Sequence, residues 1–136
     1  MLDNLQNPLA LVGRILLALM FVLAGISKIG GFTGTVGYIG SAGLPAPSVL
    51  AVLTIILELG GGLALMFGLY TRWVALALGL FTLLASVLFH NFWAMPEAQQ
   101  MTNQLMFMKN ISVAGGMFVL AAFGAGALSL DAKRGR

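Results

Sequence analysis

The sequence has no cysteine and little charge, and both features narrow the classes of protein to which it can belong. Without cysteine, the chain can form no disulfide, thiolate nucleophile, iron–sulfur site or CxxCH haem attachment. A single histidine, His90, excludes haem held by two histidines of one protomer. Only 8% of the 136 residues are charged and 60% are hydrophobic, whereas soluble domains average about 25% charged and about 45–50% apolar residues. This composition excludes an ordinary soluble domain and a disordered chain, and it indicates one small membrane domain over residues 1–136.

The basic residues do not indicate nucleic-acid binding. The seven Lys and Arg residues give a net charge of +3, but they are scattered or terminal and form no patch with interleaved aromatic residues. We therefore expect the lipid bilayer as a partner and no nucleic acid. We also expect no metal site, although thioethers with imidazole can hold Cu(I). The methionines near His90 that leave this alternative open are irregularly spaced: Met95, Met101, Met106 and Met108.

Four apolar stretches are long enough to cross a membrane as helices, each of which needs about 20 residues. They cover about residues 8–29, 48–69, 72–92 and 105–126, with Asn7 and Thr71 as predicted N-caps. The first stretch has no basic residue before Arg14 and is too long for a cleavable signal, so we expect it to remain. The predicted fold is an all-α membrane protein, a bundle of four transmembrane helices with its polar residues facing the interior.

The basic residues near the ends of the spans predict the orientation of the bundle. Four spans put both termini and the second loop on one side of the membrane. Five basic residues belong to that side: Arg14, Arg72, Lys133, Arg134 and Arg136. Lys28 and Lys109 belong to the other side, so we expect both termini in the cytoplasm. In the glycine-rich first loop, Phe32, Val36 and Ile39 have helical spacing, which allows a short interfacial helix or a flexible external loop.

Polar and small residues recur at helical spacing along every span. Thr54, Gly61 and Gly62 share a helical face with Glu58. Because a charge at mid-bilayer costs at least about 2.5–3.5 kcal/mol, we expect these faces to point inward. The stripes on the other three spans are Arg14, Ala18, Phe21, Gly25 and Lys28; Arg72, Gly79, Ser86 and His90; and Lys109, Ser112 and Gly116. The further set Gly60, Ala64 and Gly68 allows close helix packing and makes a homo-oligomer plausible.

Glu58 needs a partner in the bundle, and depth alone does not identify it. Arg14 and Lys109 are nearest in depth, each offset by roughly 9 Å at about 1.5 Å per residue. Side chains lean toward the N-terminus of their own helix, which aims Lys28 and His90 toward Glu58 and Arg14 away from it. We therefore favour a network in the external half that also includes Lys109 and Asn110, with Arg14 as the competing partner. A purely structural ion pair that fixes helix register is the alternative interpretation.

Four stretches that run in order along nearly the whole chain resemble the DoxX family of small four-helix bacterial membrane proteins. They are GRILLALMFVLAGISKI, LPAPSVLAVLTIILELGGGLALMFGLYTRWVALAL, HNFWAMP and FMKNISVAGGMFVLAAFGAGALSLD. The resemblance implies a multi-pass protein of the bacterial inner membrane. The family is named for a subunit of a thiosulfate:quinone oxidoreductase that also has a second kind of subunit. A redox-associated role is thus implied, but whether this chain is itself catalytic stays open. The family's recurring polar residues fall on Arg14, Lys28, Glu58, Arg72, His90, Lys109 and Asn110.

Three classes of function follow from these residues and the resemblance. The first is a redox component that binds a quinone or small anion non-covalently at the external end and meets a soluble or membrane-bound redox partner. His90 and Glu58 would transfer protons, because histidine has an unperturbed pKa of about 6.5, and His90 would donate a proton to a reduced quinone. The predicted binding residues are Lys28, Lys109, Asn110 and Trp93 at the entrance, while Arg14 and Arg72 are structural or interfacial. The alternatives are an assembly subunit that docks a partner, and a small transporter or proton conduit.

Overall fold

The computed structural model describes residues 1–135, which form a bundle of helices and contain no strand. Arg136, which we counted toward the orientation, lies outside the described residues. Four helical segments are long and apolar enough to cross a membrane: Leu2–Gly30, Pro47–Phe67, Thr71–Ala94 and Glu97–Phe123. The predicted fold class, an all-α bundle of four membrane-spanning helices, is confirmed.

Seven α-helices and three short segments of other helical types make up the four spans and their connections. In chain order, the α-helices are α1 (Gln6–Gly30), α2 (Phe32–Ser41), α3 (Pro47–Ile55), α4 (Gly61–Phe67), α5 (Thr71–Phe89), α6 (Glu97–Phe123) and α7 (Leu130–Lys133). A 3₁₀ turn, Leu2–Leu5, leads into α1, and another, Phe92–Ala94, precedes α6. A π-helical segment, Ile56–Gly60, joins α3 to α4 within the second span.

Helix starts differ from the predicted caps for identifiable reasons. Asn7 lies inside α1 because the preceding 3₁₀ turn runs directly into the helix. Thr71 is the first residue of α5 rather than its cap, and the carboxylate of Asp131 bonds the amides at this start instead. α6 begins at Glu97, eight residues before the predicted start at residue 105. Its first turns contain Glu and Gln, good helix formers, so the helix extends beyond its apolar part.

The first loop forms helix α2, so the short-helix alternative holds. α2 packs mainly on α3 and buries Ile39. It meets α5 through one ring contact, in which Tyr38 stacks on Phe89 with centroids 5.0 Å apart. α2 therefore bridges the space between the second and third spans at one end of the bundle.

The core is built from small and large apolar residues of all four spans. Its buried members are Ala18, Phe21, Leu65, Ala75, Leu78 and Met117. The first two spans approach backbone to backbone: a Cβ added to Gly25 would lie 2.7 Å from Leu59 Cβ, and one added to Gly62 would lie 2.7 Å from Val22 Cγ2. Gly60, Ala64 and Gly68, which we considered as a surface for close helix packing, do not all lie on the outside of the bundle. Gly60 has open space at its Cβ position, whereas the buried Gly68 ends α4 in a left-handed conformation with φ of 70°.

The inward stripes are right for the first two spans and only partly right for the last, where Gly116 packs on Leu17 of α1. Arg14, Ala18, Phe21 and Gly25 are buried along α1, and Glu58 is buried on the second span. On α6, however, Lys109 and Ser112 are exposed, and the buried residues are Asn110, Ala114 and Met117. Arg72 is also exposed. Ser112 donates to the carbonyl of Met108 on its own helix, so its hydroxyl needs no place inside the bundle.

Candidate functional site

A cavity of about 420 Å³ lies at the end of the bundle where α1 and α5 end and where α3 and α6 begin. Most of its lining is apolar and comes from α1, α2, α3, α5 and α6. Five of the predicted site residues line it: Lys28, Glu58, His90, Lys109 and Asn110. Since Tyr38 and Lys109 in this lining are exposed, the cavity reaches the surface of the protein.

Glu58 forms an ion pair with Lys28 across the first two spans. The Lys28 Nζ lies 2.7 Å from Glu58 Oε1, and the two side chains are 32% and 8% exposed respectively. Oε1 is enclosed and receives no well-aligned hydrogen bond in addition to this ion contact. The favoured network thus includes the actual partner, whereas Arg14 is bonded elsewhere.

The buried carboxylate sits in the middle of the π-helical segment. A π turn holds one more residue than an α turn, and such turns occur often at functional sites. Here the segment places Glu58 in the cavity lining while Gly62, one turn on, packs on α1. The sequence analysis missed this segment, since the run of three glycines after Leu59 permits it but does not identify it.

His90 follows the last residue of α5, and its ring is held by a residue that we did not predict. His90 Nδ1 lies 3.0 Å from Asn103 Oδ1, and Asn103 Nδ2 donates to the carbonyl of Gln99 at 2.9 Å. The signal for Asn103 was its spacing: it precedes Asn110 by seven residues, or about two helical turns, on the same face of α6. Three further lining residues with hydroxyl groups were also missed: Thr35, Tyr38 and Thr82.

Asn110 and Lys109 line the cavity with polar groups that form no hydrogen bond or ion pair with residues 1–135. Asn110 is buried, 7% exposed, and its side chain makes no hydrogen bond with any residue from 1 to 135. Its amide atoms are not fully enclosed, and the side chain lines the cavity. Lys109 forms no ion pair within the same residues. Both groups are available to a bound molecule or to water.

Trp93 and the methionines near His90 lie outside the cavity lining. The 3₁₀ turn that carries Trp93 follows His90 directly, and the indole packs edge-on against Phe92 and Phe107 with centroids 5.3 and 5.5 Å away. Trp93 is 57% exposed, which suits an aromatic side chain at a membrane interface. Met101 is 75% exposed and Met108 is 53% exposed.

The opposite end of the bundle is tied together by side chains that bind the backbone. The buried guanidinium of Arg14 donates to the carbonyls of Ala125 at 2.7 Å, Leu128 at 2.9 Å and Met66 at 3.3 Å. Arg72 Nε donates to the carbonyl of Ala121 at 2.7 Å. The bonds to Ala125 and Leu128 fasten the segment after α6 to Arg14 of α1, and both arginines lie away from the cavity.

The structure is that of a four-helix membrane protein with a mainly apolar, ligand-sized cavity at one end, and comparisons identify its family. The DoxX family profile matches residues 9–91. Inner membrane protein YqjF of Escherichia coli is 43% identical over 96% of this chain and 95% of its own length. Inner membrane protein YphA of the same organism is 36% identical over 92% and 89%. The chain belongs to the DoxX family.

A more distant relative carries a functional name. The Bacillus subtilis protein named "Putative oxidoreductase CatD" is 37% identical over 75 residues, which cover 55% of this chain and 54% of that protein. No solved structure is significantly similar to the chain.

Proposed function

We propose that this DoxX-family protein is a redox-associated membrane component that binds a quinone in the cavity between α1, α2, α3, α5 and α6. The observation that carries the proposal is an apolar cavity of about 420 Å³ whose lining includes Asn110, an amide with no hydrogen-bond partner among residues 1–135. A quinone combines an apolar ring and tail with carbonyl oxygens that need hydrogen-bond donors. Small-molecule sites have this same composition, with a few placed polar groups in a mainly apolar pocket. The name of the relative CatD also supports a redox role.

The lining residues have different tasks in this proposal. Lys109 and Asn110 donate hydrogen bonds to a headgroup oxygen, while His90 and Glu58 exchange protons with it. Lys28 holds the carboxylate of Glu58 in place through their 2.7 Å ion pair. That pair neutralises one of the two lysines in the lining and leaves Lys109 as the cationic donor. When bound, the quinone supplies the electron-carrying chemistry, and a soluble or membrane-bound redox protein supplies or takes up the electrons.

The proposed orientation puts this site on the external side of the inner membrane, with both termini in the cytoplasm. Arg72, Lys133 and Arg134 lie at the opposite end of the bundle from Lys28 and Lys109, as the positive-inside rule requires of the cytoplasmic end. A reporter fused after residue 136 should be active only in the cytoplasm. A periplasmic signal would reverse the orientation. A homo-oligomer stays a prediction.

Titration of the purified protein with short-chain ubiquinone and menaquinone analogues tests the function. We expect saturable binding to wild type and at least about fivefold weaker binding to Lys109→Ala and Asn110→Leu, since each loses a headgroup donor. Asn110→Leu should keep or raise the melting temperature, because the amide has no protein partner to lose. Ser112→Ala on the exposed face of α6 is the matched control.

Two results would contradict the quinone site. One is the absence of saturable binding to wild type. The other is equal affinity in wild type, Lys109→Ala and Asn110→Leu. A large loss of stability in Asn110→Leu with unchanged affinity would instead support a purely structural amide.

A further inference from the structure

The hydrogen bonds around His90 fix which ring nitrogen carries the proton. Asn103 Nδ2 donates to the carbonyl of Gln99 at 2.9 Å, so the oxygen of this amide is the atom directed at His90. That oxygen, 3.0 Å from Nδ1, can only accept a hydrogen bond. The neutral imidazole is therefore protonated at Nδ1, and Nε2 keeps its lone pair.

His90 borders both the cavity and Asn103. His90 lines the cavity, whereas Asn103 and Gln99 do not. Nδ1 is bonded on the side of Asn103, which leaves Nε2 as the ring's polar atom for a bound molecule. In its neutral form His90 thus offers an acceptor, beside the donors on Lys109 and Asn110.

We propose that His90, positioned by Asn103, makes the site select hydroxyl-bearing aromatic molecules, the reduced hydroquinone form, by accepting their hydroxyl proton in a hydrogen bond at Nε2. This inference rests on the proposed quinone site and names the redox form that the site prefers. The oxidised form has carbonyl oxygens only and cannot donate to Nε2. Protonation of His90 converts Nε2 into a donor and removes the preference.

The preference must then depend on pH in a defined direction. It is present while the imidazole is neutral and is lost as the pH falls and the ring becomes protonated. The other titratable groups that line the cavity are Lys28 on α1, Tyr38 on α2, Glu58 in the π-helical segment and Lys109 on α6. Glu58 is already paired with Lys28, so we assign the pH dependence to His90 and test that assignment by substitution.

A redox-inert pair of ligands separates hydroxyl recognition from electron transfer. 4-Octylphenol and its methyl ether have the same ring and tail, and only the phenol can donate a hydrogen bond. We would measure both affinities with the full chain in lipid nanodiscs and take the ratio of the ether Kd to the phenol Kd. Because the partition of each ligand into lipid is the same for every variant, changes in this ratio report the protein site.

Three variants assign the effect. Wild type should favour the phenol by about two- to tenfold at high pH, the range of one hydrogen bond. His90→Phe keeps a ring but has no acceptor, so its ratio should fall by that factor. In Asn103→Asp a carboxylate faces Nδ1 and stabilises the protonated ring, so the preference should be lost at a higher pH than in wild type. Gln100→Leu, whose side chain bonds the carbonyl of Met95 outside the cavity lining, should match wild type.

The results separate this inference from the function on which it rests. An unchanged ratio in His90→Phe, or an unchanged pH midpoint in Asn103→Asp, would overturn the hydroxyl preference. Asn103→Asp gives this answer even if His90→Phe does not fold. Saturable quinone binding without any phenol preference would overturn the inference and leave the proposed function intact. Absence of binding by the quinone, the phenol and the ether would overturn both.

Labelling the single histidine with ¹⁵N should show the proton on Nδ1, and a proton on Nε2 would refute the argument directly.

Discussion

Replacing Lys28 by methionine should destabilise the protein more than replacing Glu58 by glutamine, because the two ends of their ion pair differ in burial. The Glu58 side chain is 8% exposed and that of Lys28 is 32% exposed. Lys28→Met leaves a buried carboxylate without its cation. Removing one partner of a buried pair costs about 3–5 kcal/mol, which is an upper bound here because the Lys28 side of the pair is partly exposed.

Replacing Glu58 instead leaves Lys28 without its anion, but the lysine side chain can reach water. Its long stem can carry the ammonium group toward the membrane surface, so the charge need not stay unpaired inside the bundle. We expect Glu58→Gln to cost only about 1–2 kcal/mol, between the values for exposed and buried pairs. The double variant Lys28→Met/Glu58→Gln should be more stable than Lys28→Met alone, since it leaves no buried charge.

A double-mutant cycle measured by reversible unfolding in detergent checks both the asymmetry and the coupling. Lys109→Met removes a cation from the same cavity that forms no ion pair within residues 1–135, and it serves as the control. We expect a coupling of at least about 1 kcal/mol between Lys28 and Glu58. Additivity within about 0.5 kcal/mol would show that the pair contributes nothing. A larger loss for Glu58→Gln than for Lys28→Met would refute the reasoning from burial.

Two further predictions concern the hydrogen bonds at the start of α5 and the packing of α1. Burial alone would raise the pKa of Asp131. Its carboxylate, however, accepts hydrogen bonds from backbone N–H groups at the start of α5, including that of Thr71 at 2.8 Å. These bonds help to hold the pKa of Asp131 below its usual value. The stabilisation should be present above the unfolded-state pKa and lost as the pH falls through the folded-state value, and a pH series of melting temperatures should lack this dependence in Asp131→Asn. Gly25→Ala should destabilise the protein by about 1–3 kcal/mol, because the new Cβ would lie 2.9 Å from the backbone nitrogen of Leu59. Gly115→Ala, where a Cβ meets open space, should be neutral or stabilising. Equal unfolding free energies for the two variants would contradict the packing.

Composition and helical periodicity were sufficient to predict the four spans and the inward face of α1. In a lipid environment, long apolar runs have few alternatives to helices. Arg14 and Lys28 are spaced so that only one face of α1 carries charge, and that face could only point inward. The same logic put Glu58 inside the bundle and identified Lys28 as one of its candidate partners.

The remaining features depend on contacts that periodicity does not contain. On α6 the neighbours Lys109 and Asn110 are both polar, and polarity alone does not tell an inward residue from one at the level of the lipid headgroups. The bond between Asp131 and the amide of Thr71 joins residues 60 positions apart. The π-helical segment contains Leu59, which packs closely on Gly25, and no local pattern specifies this contact.

The bonds made at the two ends of the bundle bear on the purely structural interpretation of the cavity. Arg14 has a structural role, because its guanidinium makes three hydrogen bonds that hold separate parts of the chain together. If the cavity residues only held the bundle together, they should likewise bond one another. The Lys28–Glu58 pair meets this expectation. Asn110 and Lys109 do not, since neither side chain has a bonding partner among residues 1–135, although both line the same cavity as Glu58. Stability therefore accounts for the ion pair, and Lys109 and Asn110 are the two donors that the proposed ligand would use.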